Sequence, residues 1–181
     1  MIDRRTLPTE RLRLEPMAPA LAGELWDATR PSLGELRRWM RWAENPSLEA
    51  TRAFAEEAER RWDEGLSYNF AVRDAEGVVG GLGLDVHAGE GRIGELGYWI
   101  RTDRASRGYA TEAGEALVDF AFADLGLYRL ELRAGVENLA SQRVAEKLGF
   151  RREGRLREGC AHGRTGYDCY LFGLLATDRR P

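Results

Sequence analysis

The chain has 181 residues, of which 43% are hydrophobic and 31% are charged, and its formal net charge is −3. These values are typical of one globular domain spanning residues 1–181, and they disfavour a general nucleic-acid-binding protein, which usually carries a basic stripe. The sequence shows neither a membrane-spanning apolar run nor a secretory leader, and Cys160 and Cys169 are expected to be reduced thiols, so we expect a cytoplasmic protein.

The N-terminal part of the chain predicts one strand followed by three helices. Residues Arg11 to Met17 alternate between polar and apolar side chains, which is typical of a strand. Helices are predicted from Pro19 to Pro31, from Leu33 to Trp42 with Ser32 as the N-cap, and from Leu48 to Glu64.

From Tyr68 onward the hydrophobic pattern changes to the period of strands. Three strands are predicted, from Tyr68 to Arg73, Val78 to Val86 and Arg92 to Ile100, with turns at Asp74 to Gly77 and His87 to Gly91. A helix from Thr111 to Phe122, a strand from Arg129 to Ala134, a helix from Asn138 to Leu148, and strands from Phe150 to Glu158 and Gly166 to Leu175 follow. This order predicts an α+β (mixed α/β) sheet with helices on both faces.

The segment from Arg104 to Ala113 joins a strand to a helix through a short basic loop. The first N–H groups of a helix have no intrahelical acceptor, and the helix dipole favours an anion near them. Gly108 lets the backbone approach a ligand closely, and Arg104 and Arg107 add positive charge. The segment therefore predicts a phosphate site, although alone it also fits an ordinary strand–helix turn.

Three motifs together resemble the GNAT superfamily of acyl-CoA N-acyltransferases, and more closely its RimJ/RimL-like branch. They are Glu95 to Ile100, Arg107 to Ala113, and Val136 to Ser141 running on to Lys147–Phe150. The resemblance covers nearly the whole chain and implies a central, mostly antiparallel, twisted sheet with helices on both faces. It further implies acetyl-CoA as cosubstrate, no metal, and a homodimer as a family expectation.

The resemblance also implies which residues hold the cosubstrate. Backbone N–H groups of the loop would hold the pyrophosphate, at Ser106, Arg107, Gly108, Tyr109, Ala110 and Thr111, with Arg104 beside them. The pantetheine would pair with backbone at Tyr98, Trp99 and Ile100 and accept or donate a hydrogen bond at Asn138. Two positions depart from the family pattern. Ala105 replaces a Gln or Arg of the loop, and Ala145 replaces a tyrosine that some members use as an acid.

The implied reaction is attack of a neutral amine on the thioester, and it needs a base, an oxyanion donor and a group near the sulfur. Glu95 is the first choice as base and Glu158 the second. A backbone N–H near Tyr98 would serve the oxyanion, and Ser141 would contact the sulfur.

Each of these side chains also has a structural interpretation. Asn138 fits a helix N-cap, Ser141 a solvated helix residue, and Glu95 a surface carboxylate paired with an arginine. Trp39 and Trp42 are spaced i, i+3 on the predicted helix, where packing is the usual role and a wall of the acceptor cleft is the functional one.

Other chemistry-bearing residues are predicted to stay outside the site. Trp99 is expected in the core, and His87 and His162 in exposed turns. The spacing of Cys160, His162 and Cys169 fits no closed metal site.

The sequence thus predicts an acetyl-CoA-dependent N-acetyltransferase that modifies a primary amine, foremost a protein N-terminal α-amine, by direct attack in a ternary complex. A small-molecule amine (polyamine, amino acid or antibiotic) and a non-catalytic acyl-CoA sensor are the alternatives. A nucleotide-binding module is disfavoured because the chain has no Gly-x-x-x-x-Gly-Lys-Ser/Thr loop and Lys147 is its only lysine. No nucleic-acid or membrane partner is expected.

Overall fold

One eight-stranded sheet organises residues 2–87, 92–162 and 165–179, the part of the chain that this computed structural model describes. The strands are β1 (Leu7–Pro8), β2 (Arg13–Pro16), β3 (Ser67–Asp74), β4 (Gly77–Val86), β5 (Ile93–Ile100), β6 (Arg129–Gly135), β7 (Arg151–His162) and β8 (Thr165–Leu175). Their spatial order is β1-β2-β3-β4-β5-β6-β8-β7.

Neighbouring strands are antiparallel except for β5 and β6, which run parallel. This single parallel contact is short. Only Ile93, Gly94 and Glu95 of β5 pair with β6, opposite Arg129, Leu130 and Glu131. Beyond that point both strands continue, so the sheet opens between them.

Five α-helices cover the two faces of the sheet in the described residues: α1 (Ala22–Thr29), α2 (Leu33–Leu36), α3 (Leu48–Asp63), α4 (Tyr109–Asp119) and α5 (Leu139–Lys147). One core cluster includes α4 and α5, and another includes residues of α1 and α3. Phe70 and Ala71 are neighbours on β3 yet belong to different clusters, so the clusters lie on opposite faces. The predicted mixed α/β fold is confirmed.

Local sequence signals placed most elements correctly. Ser47 Oγ accepts a hydrogen bond from the Ala50 N–H at 3.0 Å and caps α3. At the predicted turn before β4, Asp74 accepts from the Glu76 N–H at 2.9 Å, and Gly77 has φ +134°. The last two strands are longer than predicted, and β7 runs on to His162, which was predicted in a turn. The predicted turn from His87 to Gly91 lies largely outside the described residues.

The predicted helix from Leu33 to Trp42 begins where expected but ends at Leu36, so its predicted length is wrong. The α2 helix has one turn, and a 3-10 turn at Arg41–Ala43 follows it. Ser32 is itself helical and caps nothing, because its hydroxyl accepts a hydrogen bond from the Thr102 N–H at 2.9 Å. The short helix leaves Trp39 and Trp42 on different segments, so they do not share one helical face.

Candidate active site

The opening between β5 and β6 presents different side chains on the two faces of the sheet. Successive residues of a strand point to opposite faces, so Glu95 and Trp99 share one face and Leu96 and Tyr98 share the other. Trp99 packs against the cluster that contains α1 and α3, and Tyr98 against the cluster that contains α4 and α5. A group that enters the opening can therefore meet Glu95 from one side and Tyr98 from the other.

Glu95 is a partly buried carboxylate at the start of this opening. Its Oε1 lies 3.7 Å from Arg133 Nε, and its Oε2 lies 4.0 Å from His87 Nε2. Burial raises the pKa of Glu95 above its usual value, although the charges of Arg133 and His87 act in the opposite sense. A carboxylate with a raised pKa is a stronger base when ionised.

On the opposite face, two of the predicted residues meet through their side chains. The Tyr98 hydroxyl donates a hydrogen bond to Ser141 Oγ at 3.2 Å. Ser141 lies in the first turn of α5, and its N–H donates to Asn138 Oδ1 at 3.1 Å. The sequence-based prediction used only the backbone of Tyr98, and no local pattern could have revealed this contact between residues 43 positions apart.

The predicted phosphate loop leads into α4, and the backbone N–H groups of the loop have no protein acceptor in the described residues. The first backbone bond of α4 runs from the Glu112 N–H to the Gly108 carbonyl at 3.0 Å. Within the described part of the chain, the N–H groups of residues 106–111 donate to no protein acceptor. Gly108 has φ +82° and Ser106 has φ +61°, conformations that curl the loop around these donors.

Residues of the N-terminal segment contact this loop and the first turn of α4 and hold them in place. Arg11 donates to the Arg107 carbonyl at 3.0 Å, and its guanidinium lies 5.0 Å from the centre of the Tyr109 ring. Glu112 accepts from the Arg11 N–H at 2.8 Å and from the Thr9 hydroxyl at 2.6 Å. The sequence did not predict these contacts because the contacting residues lie about a hundred positions apart in the chain.

Arg104 is neutralised by carboxylates. Its guanidinium donates to Glu76 at 2.9 Å and to Asp74 at 3.4 Å, and its side chain is only 12% exposed. This arrangement favours a structural role for Arg104 over the predicted contribution to phosphate binding. Arg107, by contrast, is exposed and forms no ion pair with any described carboxylate.

The turn between β6 and α5 holds Asn138. Asn138 caps α5, as predicted, and Gln142 stabilises the turn by donating to the carbonyls of Gly135 and Val136, at 3.0 Å each. The sequence-based prediction did not include Gln142. The side-chain N–H groups of Asn138 donate to no described protein acceptor, so they remain available to a ligand.

Trp39 and Trp42 lie on the same side of the sheet as Glu95, but each has its own partner. The Trp39 ring packs edge-on against Tyr167 at 6.3 Å, and its carbonyl accepts from the Tyr167 hydroxyl at 3.2 Å. Trp42 is 47% exposed and packs against Trp99 at 6.0 Å. Trp99, expected in the core, is therefore only partly buried beneath Trp42.

Glu158, the second choice as base, lies in an irregular part of β7. It is exposed, with φ +49°, and β6 and β8 separate its strand from β5. This placement favours Glu95 over Glu158.

A cavity of about 540 Å³ lies elsewhere, between α1 and the β3–β4 turn. Two of its arginines are ion-paired, Arg73 with Glu15 and Glu24, and Arg101 with Asp103. It contains neither Glu95 nor Ser141, so the sheet opening is the better candidate site.

Residues 11–151 match the family described as the acetyltransferase (GNAT) domain. The chain belongs to the GNAT family. This membership confirms the resemblance on which the expected acyltransferase chemistry was based.

Two GNAT relatives illustrate the extent of the sequence similarity. The "uncharacterized N-acetyltransferase p20" of Bacillus licheniformis is 33% identical over 109 residues, which cover 60% of this chain and 61% of that protein. The "putative ribosomal N-acetyltransferase YdaF" of Bacillus subtilis is 28% identical over 92% of both chains. The chain thus spans less than two thirds of the length of p20.

Two solved GNAT structures have the same fold. One is a putative ribosomal-protein-serine acetyltransferase from Vibrio cholerae, with 28% identity, a TM-score of 0.83, and coverage of 97% of this chain and 99% of that one. The other is RimJ of Mycobacterium smegmatis in complex with CoA-disulfide, with 23% identity, a TM-score of 0.90, and coverage of 98% of this chain and 90% of that one.

Among the described residues, no helix is both long and apolar enough to cross a membrane.

Proposed function

We propose that this GNAT protein transfers the acetyl group of acetyl-CoA to a primary amine, foremost the α-amine of a protein N-terminus, by direct attack in a ternary complex. The observation that carries the proposal is the opening between β5 and β6, with Glu95 on one face and the Tyr98–Ser141 pair on the other. Amine and thioester can meet there from opposite sides.

The loop before α4 would hold coenzyme A by its pyrophosphate. Its free backbone N–H groups, at residues 106–111, and the exposed Arg107 supply donors and charge for an anion. The structure of the neighbour RimJ with CoA-disulfide supports this choice of ligand.

Glu95 would accept the proton of the amine, directly or through water. An α-amine has a pKa of about 7.7–8.0, so its deprotonation at pH 7 costs about 1 kcal/mol, whereas a lysine side chain costs roughly 4.5 kcal/mol. A single carboxylate with a raised pKa is adequate for the first case.

Charges of both signs surround Glu95, with Arg133 and His87 opposed by the carboxylates of Glu131 and Asp85, so the choice of acceptor rests on the similar proteins. The names of YdaF and of the Vibrio cholerae protein refer to ribosomal proteins, which supports a protein N-terminus as acceptor.

Acetyl transfer can be tested with an acceptor panel and a thiol-release assay. The panel contains peptides with free N-termini, the same peptides with blocked N-termini and one free lysine, a polyamine and an aminoglycoside. We expect free N-termini to react fastest. We expect Glu95→Gln to lower kcat by about 100-fold or more, as is typical of a lost general base. Glu56→Gln, an exposed carboxylate of α3, is the matched control.

Two results would contradict the proposal. Coenzyme A binding without thiol release from any acceptor would instead support an acyl-CoA sensor. If the polyamine or the aminoglycoside reacts faster than the peptides, the proposed acceptor is wrong, although acetyl transfer itself is supported.

A further inference from the structure

The hydroxyl of Tyr98 has one hydrogen-bond acceptor in the described protein, Ser141 Oγ at 3.2 Å. Tyr98 is partly buried against the core cluster that contains α4 and α5. Phenol hydroxyls in such places keep their donor satisfied. The phenol hydrogen is therefore directed to Ser141.

This bond determines where the hydrogen of Ser141 can point. A serine hydroxyl has one hydrogen to donate and two lone pairs that accept. Because one lone pair accepts from Tyr98, the serine hydrogen cannot also occupy the line between the two oxygens. The backbone of Ser141 is held separately by its N–H bond to Asn138. Among the described residues no protein group accepts the hydroxyl hydrogen, so it is available to a ligand.

We propose that Tyr98 is a positioning residue, which holds Ser141 so that the serine hydroxyl donates a hydrogen bond to the sulfur of bound coenzyme A. This inference rests on the proposed acetyl transfer. It assigns a role to a side chain rather than to the backbone of β5.

Acetyl transfer needs no proton from the hydroxyl of Tyr98 or of Ser141. The amine nitrogen forms a bond to the acetyl carbon, the carbon–sulfur bond breaks, and the electron pair remains on sulfur. Ser141 stabilises this thiolate, which takes its proton from water, while the proton of the amine passes to Glu95. Burial raises the pKa of Tyr98, so the phenol stays neutral and keeps the hydrogen that it donates to Ser141.

A double-mutant cycle tests this role. Tyr98→Phe removes only the hydroxyl, and we expect kcat to fall about 3- to 10-fold, the loss that one neutral hydrogen bond produces, with KM for acetyl-CoA nearly unchanged. In a Ser141→Ala background the same substitution should have no further effect on kcat. Tyr68→Phe, a buried tyrosine of the core, is the matched control and should retain the wild-type kcat.

A second readout needs no acceptor. The thiol of bound coenzyme A is titrated by its thiolate absorbance, with the protein saturated with desulfo-coenzyme A as the blank. We expect Tyr98→Phe and Ser141→Ala each to raise the pKa of the bound thiol by about 0.5 to 1 unit, and the double variant to match Ser141→Ala.

The outcomes separate this inference from the proposed function. An unchanged thiol pKa in Tyr98→Phe, or equal losses of kcat in both backgrounds, would overturn the role of Tyr98. If the wild type binds coenzyme A but acetylates nothing, the proposed function fails and the thiol titration still decides on Tyr98. If coenzyme A does not bind, both are overturned.

Discussion

Glu95 and Glu131 form the last residue pair between β5 and β6 before the two strands separate. Each carboxylate lies near its own arginine from β6. Glu131 binds Arg129 at 2.9 Å, and Glu95 lies 3.7 Å from Arg133. Because the Glu95 contact is longer, burial outweighs the nearby positive charge and the pKa of Glu95 rises.

This balance gives a prediction about pH dependence. Removing the positive charge with Arg133→Met should raise the pKa of Glu95 further, because ionisation of the carboxylate loses a favourable neighbour. The acid limb of kcat/KM for the acceptor should then move to higher pH. Arg52→Met, an exposed arginine of α3, is the control, and the amine of the acceptor titrates identically in both variants. A shift to lower pH would contradict Glu95 as the base.

Gly108 should matter more to cosubstrate binding than Arg104. Gly108→Val forces a branched side chain into φ +82° and distorts the donors of the loop, so KM for acetyl-CoA should rise roughly tenfold or more. Arg104→Ala should lower thermal stability, since it leaves the buried Asp74 carboxylate without its guanidinium, but should change KM little. Steady-state kinetics and calorimetric titration with coenzyme A measure both effects.

Gly65→Val is the matched control for strain, because Gly65 has φ +71° at the end of α3. It should destabilise the fold without raising KM. The reverse ranking of Gly108→Val and Arg104→Ala would mean that side-chain charge dominates phosphate binding.

Glu112 should contribute pH-dependent stability through its hydrogen bonds with Thr9 and Arg11. Burial opposes its ionisation, but hydrogen bonds from Thr9 and Arg11 outweigh burial and lower the pKa of Glu112. The stabilisation is therefore present above the pKa of the unfolded chain, about 4.3, and is lost as pH falls through the lower pKa of the folded state.

Glu112→Gln should lower the free energy of unfolding at pH 7 by about 1–3 kcal/mol, a typical cost for hydrogen bonds to a charged group. The difference from the wild type should shrink toward pH 3. Urea unfolding at several pH values measures it, and a difference independent of pH would refute the role of the charge.

Asn138 should combine a capping role with a contact to coenzyme A. Asn138→Ala and Ser47→Ala each remove a side-chain cap and should each cost about 1 kcal/mol of stability. Only Asn138→Ala should also raise KM for acetyl-CoA. Asn138→Asp retains the capping oxygen but not the amide donor, so a raised KM at unchanged stability would isolate the ligand contact, and equal KM values in all three variants would exclude it.

The sequence by itself determined the parts of this protein that depend on near neighbours. Strand alternation, the cap at Asn138 and the Asp74–Gly77 turn each involve residues within about four positions, so the sequence alone was enough to predict them. The free N–H donors at the start of α4 belong to the same class, because the first N–H groups of a helix have no intrahelical acceptor.

Only the tertiary structure decided which distant side chains meet. The sheet order brings Asp74 and Glu76 to Arg104, and it brings Tyr98 to Ser141. Both contacts changed the interpretation of a predicted residue, since Arg104 proved to be ion-paired and the hydroxyl of Tyr98 proved to have a hydrogen-bond partner. Ion pairing and packing depend on the order of the strands in space, which no local pattern encodes. For the same reason the sequence could not show that Trp39 packs on Tyr167 of β8 and Trp42 on Trp99 of β5.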